Sequence, residues 1–182
     1  EDRFYLMFAP IERLFETNFN EVKELPELPL YEHNKMRSPH DVALSLSYLK
    51  GWTDVFHGNV FDFDYYLIRA RHGDLNSEVM SQTAYQDIKA YKKLKLSGLM
   101  SCQETRAYFP TGLTDYVIGN TLWRETSDYE QLKTHYYEKG FGKNSKMMKD
   151  FLSSLTSFIH PDYFLNRYGK VNDYYAKEYE QL

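Results

Sequence analysis

One cysteine, Cys102, stands alone in a chain of 182 residues, which excludes an internal disulfide framework and leaves the compartment open. Basic residues are scarce relative to acidic ones: 22 Lys and Arg against 26 Asp and Glu give a formal net charge of -4. A nucleic-acid surface needs a basic excess to neutralise phosphates, so no nucleic-acid partner is expected. No apolar run approaches the roughly 20 residues of a membrane span, and no membrane partner is expected. The six histidines are scattered without a His-x-x-x-His or Cys-His cluster. No metal site and no cofactor is therefore implied. Lys139-Gly140-Phe141-Gly142-Lys143 holds glycines but not the phosphate-loop pattern, and fits a helix end. The chain opens on Glu1-Asp2-Arg3 with neither a methionine nor a leader-like pattern, so position 1 is expected to be a cut in a longer protein. The length also falls short of the roughly 250 residues of a complete eightfold barrel.

What is abundant is aromatic. Aromatic residues make up 17% of the chain and 17 of them are tyrosines, within an ordinary balance of 42% hydrophobic and 26% charged. A tyrosine ring with its polar tip suits a wall that stacks on a sugar, and equally fills a core. Residues 4–9 form a short apolar run stopped by Pro10, the pattern of a strand buried on both faces. Residues 18–37, with Pro26 and Pro29, predict a long irregular loop. Ser38 and Pro39 suit a helix start, followed by a face of Val42, Leu46, Leu49 and Phe56 that Gly58 can end. Residues 60–65 alternate with period two, which places Asp62 and Asp64 on one face and Phe61 and Phe63 on the other. After a loop over 67–76, a helix is predicted over 77–95 and a third strand over 98–102.

Beyond that point the pattern turns helical. Helices are predicted over 113–123, from a capping box at Ser127-Asp128-Tyr129-Glu130 to about Gly140 and Gly142, over 144–159, and over 171–182. The strand–helix–strand–helix–strand order implies right-handed crossovers and a parallel α/β sheet. Two architectures fit it: a small open sheet covered by helices, or the C-terminal part of a (β/α) TIM-type barrel. Residues 1–126 would then be the last strand–helix units, and 127–182 C-terminal helices packed on them in the same domain.

Acidic residues fall at or beyond all three strand ends: Glu12 after the first, Asp62 and Asp64 in the second, and Glu104 after the third. A barrel enzyme places its acid, base or nucleophile at this edge, and glycoside hydrolysis generally uses two carboxylates roughly 5 to 9.5 Å apart. These four are the candidate catalytic residues, with Arg13, Tyr65, Arg69, Arg106, Tyr108 and Trp123 as candidate substrate contacts. Plainer roles stand beside these. Glu12 with Arg13, and Glu104 with Arg106, make equally good loop ion pairs. A buried carboxylate is costly unless something binds it, so Asp62 and Asp64 require an arginine, backbone donors, a ligand hydroxyl or, as the weakest alternative, a metal, and Arg69, Arg71 and His72 follow closely. Cys102 fits a buried thiol better than a nucleophile, because no activating histidine is evident. The amphipathic C-terminal half alone would also suit a protein-interaction module.

Three motifs, Phe8-Ala9-Pro10-Ile11-Glu12-Arg13, Asn59-Val60-Phe61-Asp62-Phe63-Asp64-Tyr65 and Gly98-Leu99-Met100-Ser101-Cys102-Gln103, resemble a bacterial family, the domain of unknown function 4838. That family occurs in glycosidase-like, often α-glucuronidase-like, barrel proteins. Phe109-Pro110-Thr111-Gly112-Leu113 through Leu122-Trp123 also fits, as does the more generic Trp123…Asp128-Tyr129-Glu130…Gly140-Phe141-Gly142. The resemblance spans nearly the whole chain. It implies the final strands of a (β/α) barrel and a carbohydrate ligand, but no settled catalytic residues. It also implies that an N-terminal remainder of the parent chain supplies the earlier strands, so that this chain alone would be inactive. A non-catalytic carbohydrate-binding or structural module is the alternative it leaves open.

Overall fold

The computed structural model describes residues 3–68, 74–103, 111–124 and 126–157. Glu104, Arg106, Tyr108, Arg69 and the helix expected over 171–182 lie outside these residues. The protein is α/β, with a small, open sheet of three parallel strands in the order β1 (Tyr5–Phe8), β2 (Asn59–Leu67) and β3 (Leu99–Gln103). The first connection contains α1 (Val42–Thr53) and the second contains α2 (Glu78–Leu94). Three helices follow: α3 (Leu113–Trp123), α4 (Tyr129–Phe141) and α5 (Ser145–Thr156).

Local chemistry sets the boundaries. β1 stops short of Pro10, which has no N–H for a ladder. The first helix begins three residues later than Pro39 suggests, because Asp41 is its cap. The Asp41 carboxylate accepts the Ala43 N–H at 2.7 Å and leaves Ser38 and Pro39 in the approach. It also ends before Phe56, whose N–H bonds back to the Trp52 carbonyl in a closing turn while its ring packs against the core. In the same way α4 is capped by Asp128, whose side chain accepts from the Gln131 N–H at 2.9 Å, in place of the Ser127 expected. That helix closes at Gly142, whose φ of +53° is the left-handed region that a side chain disfavours. The predicted loop over 18–37 is irregular except for a 3-10 turn, Phe19–Glu21, held by a capping box on Asn18.

The two faces of the sheet differ sharply. On β2, Val60, Asp62, Asp64 and Tyr66 point to the helix side and are buried. In register beside them, Leu6 and Phe8 of β1 and Leu99 of β3 take the same side. They meet Leu46 and Leu49 of α1 and Met80, Ala84, Ile88 and Tyr91 of α2 in the main core. A register shift between Asp64 and Leu67 sets three residues of β2 against two of β3. The alternation breaks at that bulge, and Tyr66 and Leu67 are both buried. The other face carries Tyr5, Met7, Phe61, Phe63, Tyr65 and Met100, and no described element covers it. Tyr5 is 68%, Met7 51% and Met100 53% exposed. A second core gathers Leu113, Val117, Tyr129, Tyr137 and Leu152 among α3, α4 and α5.

Met80 is fully buried in the main core, so Met80→Ala is expected to cost about 2–5 kcal/mol through lost transfer energy and a residual cavity. Trp123→Ala, at a side chain 86% exposed, is expected to stay within about 0.5 kcal/mol. Urea unfolding of both variants checks the core assignment, which fails if the two cost the same.

Candidate functional site

The chemistry-bearing residues divide into a sealed cluster on the helix side of β2 and a dispersed set at the strand ends. The sealed cluster begins with Arg13, on the turn that leaves β1. Its side chain is fully buried and its Nη1 meets the Asp64 carboxylate at 2.8 Å and the Asp87 carboxylate at 2.9 Å. Its Nη2 donates to the Thr17 carbonyl at 3.0 Å. The guanidinium lies over the Phe19 ring at 4.3 Å from the centroid, with Phe15 at 5.1 Å and Tyr66 at 5.8 Å. A delocalised cation caged by ring faces retains attraction after losing its water.

Asp87 sits on α2 one helical step from Thr83 and one from Tyr91, so all three share a face. Its carboxylate accepts the Tyr66 hydroxyl at 2.7 Å and the Phe19 N–H at 2.5 Å. Thr83 donates to the Phe15 carbonyl at 2.8 Å. Tyr91 donates to Asp62 at 2.8 Å. Together these bonds fasten the loop after β1 to α2 and β2. Among the described residues, Asp62 Oδ1 and Arg13 Nε have no hydrogen-bond partner.

Among the described residues, two carboxylates, Asp64 and Asp87, thus bind one guanidinium, and a third, Asp62, is buried close enough to feel its charge. Burial, then the nearby Asp64 charge, hold the Asp62 carboxyl well above the usual carboxylate range, against the Tyr91 hydrogen bond. Burial pushes Asp87 up to about 6 although Arg13 pulls it down. For Arg13 burial alone works against the charged form, but Asp87 and Asp64 outweigh it and raise its pKa well above the ordinary value. A fourth buried acid, Asp74, accepts the Met80 N–H at 2.7 Å and so caps the start of α2 from three residues before Ser77. Burial pushes it up to about 7.

Asp62, Asp64 and Arg13 therefore occupy the protein interior and present no surface to a ligand. The period-two pattern put both aspartates on one face, and that face is the one the helices cover. Among the described residues their partners are Arg13 and Tyr91; Arg69, Arg71 and His72 lie outside the described residues. Glu12 is half-buried on the turn after β1, where its carbonyl accepts or faces His40 Nδ1 at 2.9 Å. Tyr65 lies on the open sheet face, its ring edge-on to Phe63 at 5.4 Å. Trp123 projects from the end of α3, remote in sequence from any strand end. Glu104 follows β3 directly in the sequence, outside the described residues together with Arg69, Arg106 and Tyr108. Asp87 and Asp74 escaped the sequence reading. For Asp87 the available signal was a carboxylate one step from Tyr91 inside a helical stripe. Among the described residues, no group of three or more His, Cys, Asp or Glu is arranged to hold a metal ion.

No family model, curated protein or solved structure matches the chain.

Two outcomes follow from the cluster. At pH 7, Arg13→Met is expected to cost about 3–5 kcal/mol by leaving the Asp64 and Asp87 carboxylates buried without their cation. Asp62→Asn should cost less than about 1 kcal/mol, because the neutral amide needs no cation and its oxygen still accepts from Tyr91. Equal losses in urea unfolding would contradict this charge assignment. The pH dependence has a definite sign: Asp87 and Asp74 bind a proton more tightly folded than unfolded, where an aspartate titrates near roughly 3.9. Their contribution is fullest below that value and is lost as pH rises to about 6 for Asp87 and about 7 for Asp74. The urea midpoint should thus fall between roughly pH 4 and pH 7, and Asp74→Asn should flatten the upper part of that fall.

Proposed function

We propose that this chain is part of a glycoside-hydrolase-like protein acting on carbohydrate, as the last strand–helix units of a (β/α) barrel. The observation that carries this reading is the bare, aromatic face of a parallel sheet whose strands run in sequential order. Parallel sheets are ordinarily covered on both faces. Strands in the order β1-β2-β3 with α1 and α2 packed on the same side, as in each barrel segment, leave the other face for a barrel interior. The outer edge of β1 supports the same reading. Between that edge and α1 runs a groove of about 250 Å³ lined by Leu6, Phe8, Pro10, Tyr48 and Trp52, a seat suited to a preceding strand–helix unit from the N-terminal remainder of the parent.

In this reading the carboxylates divide their tasks. Asp62 and Asp64 secure the wall, whereas Glu12 and Glu104, which follow β1 and β3 in the sequence, would meet the sugar. Tyr65 and the open-face rings would form its aromatic lining. In the full-length protein, Glu104→Gln and Glu12→Gln are each expected to lower glycoside hydrolysis by roughly 10²–10⁴-fold, with unchanged thermal unfolding. Release of nitrophenol from a panel of aryl glycosides and glycuronides measures it, and wild-type turnover in both variants would sink the assignment.

A second reading, a carbohydrate-binding or structural module without catalysis, is favoured by one observation. Two of the four candidate carboxylates are sealed inside the fold. Calorimetry of the full-length protein against a glycan panel separates the two: binding without any product supports this reading, and product formation removes it.

A further inference from the structure

A polar cleft of about 430 Å³ lies between α3 and α4, away from the strand ends. Its walls are two helical stripes that face each other. Tyr116 and Asn120 come one four-residue step apart on α3, with Arg124 at its C-cap, and Gln131 and His135 one step apart on α4, with Asp128 at its N-cap. Residues at these steps share one face of a helix, so each helix directs a single polar row into the cleft. The volume falls within the roughly 300–1,000 Å³ of small-molecule sites.

The lining narrows the chemistry of an occupant. The Tyr116 ring and Leu132 supply apolar surface beside the polar groups of the other residues, a mixed lining that suits an amphiphilic ligand with an apolar face and polar edges. Asp128 opposes a bare anion, and Arg124 opposes a bare cation. The Asn120 and Gln131 amides each offer both a donor and an acceptor, Arg124 only donors and Asp128 only acceptors. A hydroxyl donates and accepts at once, and a ring bearing several hydroxyls uses such a mixed set fully.

The aromatic component is fixed in advance. The Tyr116 hydroxyl meets His135 Nδ1 at 2.6 Å, and the two rings stack at 6.0 Å with 23° between their planes. Tyr136 packs on Tyr116 from another side at 5.6 Å. Asn120 Nδ2 is held by the Tyr116 carbonyl at 2.8 Å, which leaves its amide oxygen to accept. Trp123 lies two turns beyond Tyr116, on the same side of α3 by helical period, and is 86% exposed. An indole left in water at the end of such a row is a stacking surface for the apolar face of a sugar.

We propose that the α3–α4 cleft binds a small neutral polyhydroxylated ring, a pyranose in its simplest form. The site shares no residue with the strand-end carboxylates and does not depend on the hydrolytic reading.

The test titrates the chain, carrying Trp52→Phe so that Trp123 is its only indole, with the methyl pyranosides of glucose, galactose, mannose and xylose. Sodium glucuronate and cyclohexanol serve as the anionic and apolar controls. Saturation-transfer NMR and Trp123 fluorescence are the readouts. The expected result is saturable binding of at least one pyranoside with a Kd on the order of 1 mM. Gln131→Ala and Arg124→Ala, both at exposed positions, should weaken it at least about tenfold without changing the thermal midpoint. No saturable response to any pyranoside overturns the proposal. So does binding of glucuronate alone, an equal response to cyclohexanol, or undiminished binding in both variants. Glycoside turnover in Glu104→Gln remains a separate measurement, so the failure of either idea is visible without the other.

Discussion

The buried Arg13 guanidinium is the interaction on which the rest of the structure depends. Among the described residues it is the single cation bound to Asp64 and Asp87, and it draws together three segments distant in sequence: the turn after β1, the middle of β2 and the middle of α2. Without that charge, two carboxylates would face each other in a medium where desolvation costs several kcal/mol per ion. With it, the loop that follows β1 acquires a fixed path, because Thr17, Phe19 and Phe15 are each tied to the same cluster or to α2 beside it.

Such a cluster is a weak source of net stability and a strong source of register. Apolar side chains of similar volume could fill the same space at no loss. What they could not do is distinguish one alignment of α2 on β2 from its neighbour. Asp87 and Tyr91 must meet Tyr66 and Asp62 respectively, and a shift of one residue along β2 would point both aspartates at the open face. Among the described residues, carboxylates outnumber cations in this interior. Burial raises the proton affinity of Asp62 and Asp87, which favours the fold in mild acid over neutrality.

The unequal faces of the sheet set the functional question. The helix side is closed by polar and aromatic pairing, while the opposite side leaves Tyr5, Met7 and Met100 in water. A parallel sheet half covered in this way fits a larger layered body better than a free-standing one. The α3–α4 hairpin is independent of that requirement: its own core of Leu113, Val117, Tyr129 and Tyr137 supports a polar cleft on the surface. Wall and hairpin can therefore serve one protein in different ways.

Much of the architecture was legible in the residues themselves. Period-two alternation over 60–65, helical stripes over 77–95 and 113–123, and Pro10 after an apolar run are local signals, and local signals survive without knowledge of the fold. Cap positions were legible only to within a few residues, since Ser38 competes with Asp41 and Ser127 with Asp128 for the same backbone donors. The sequence also determined that Asp62 and Asp64 share a face and that something must bind them. Only the tertiary structure decided which face that was and that Arg13, 51 residues from Asp64, answers Asp64 while Tyr91 answers Asp62. The reason is physical. Alternation along a strand is a property of neighbouring residues, whereas the covering of one side depends on where α2 packs, and that is set by the whole core at once.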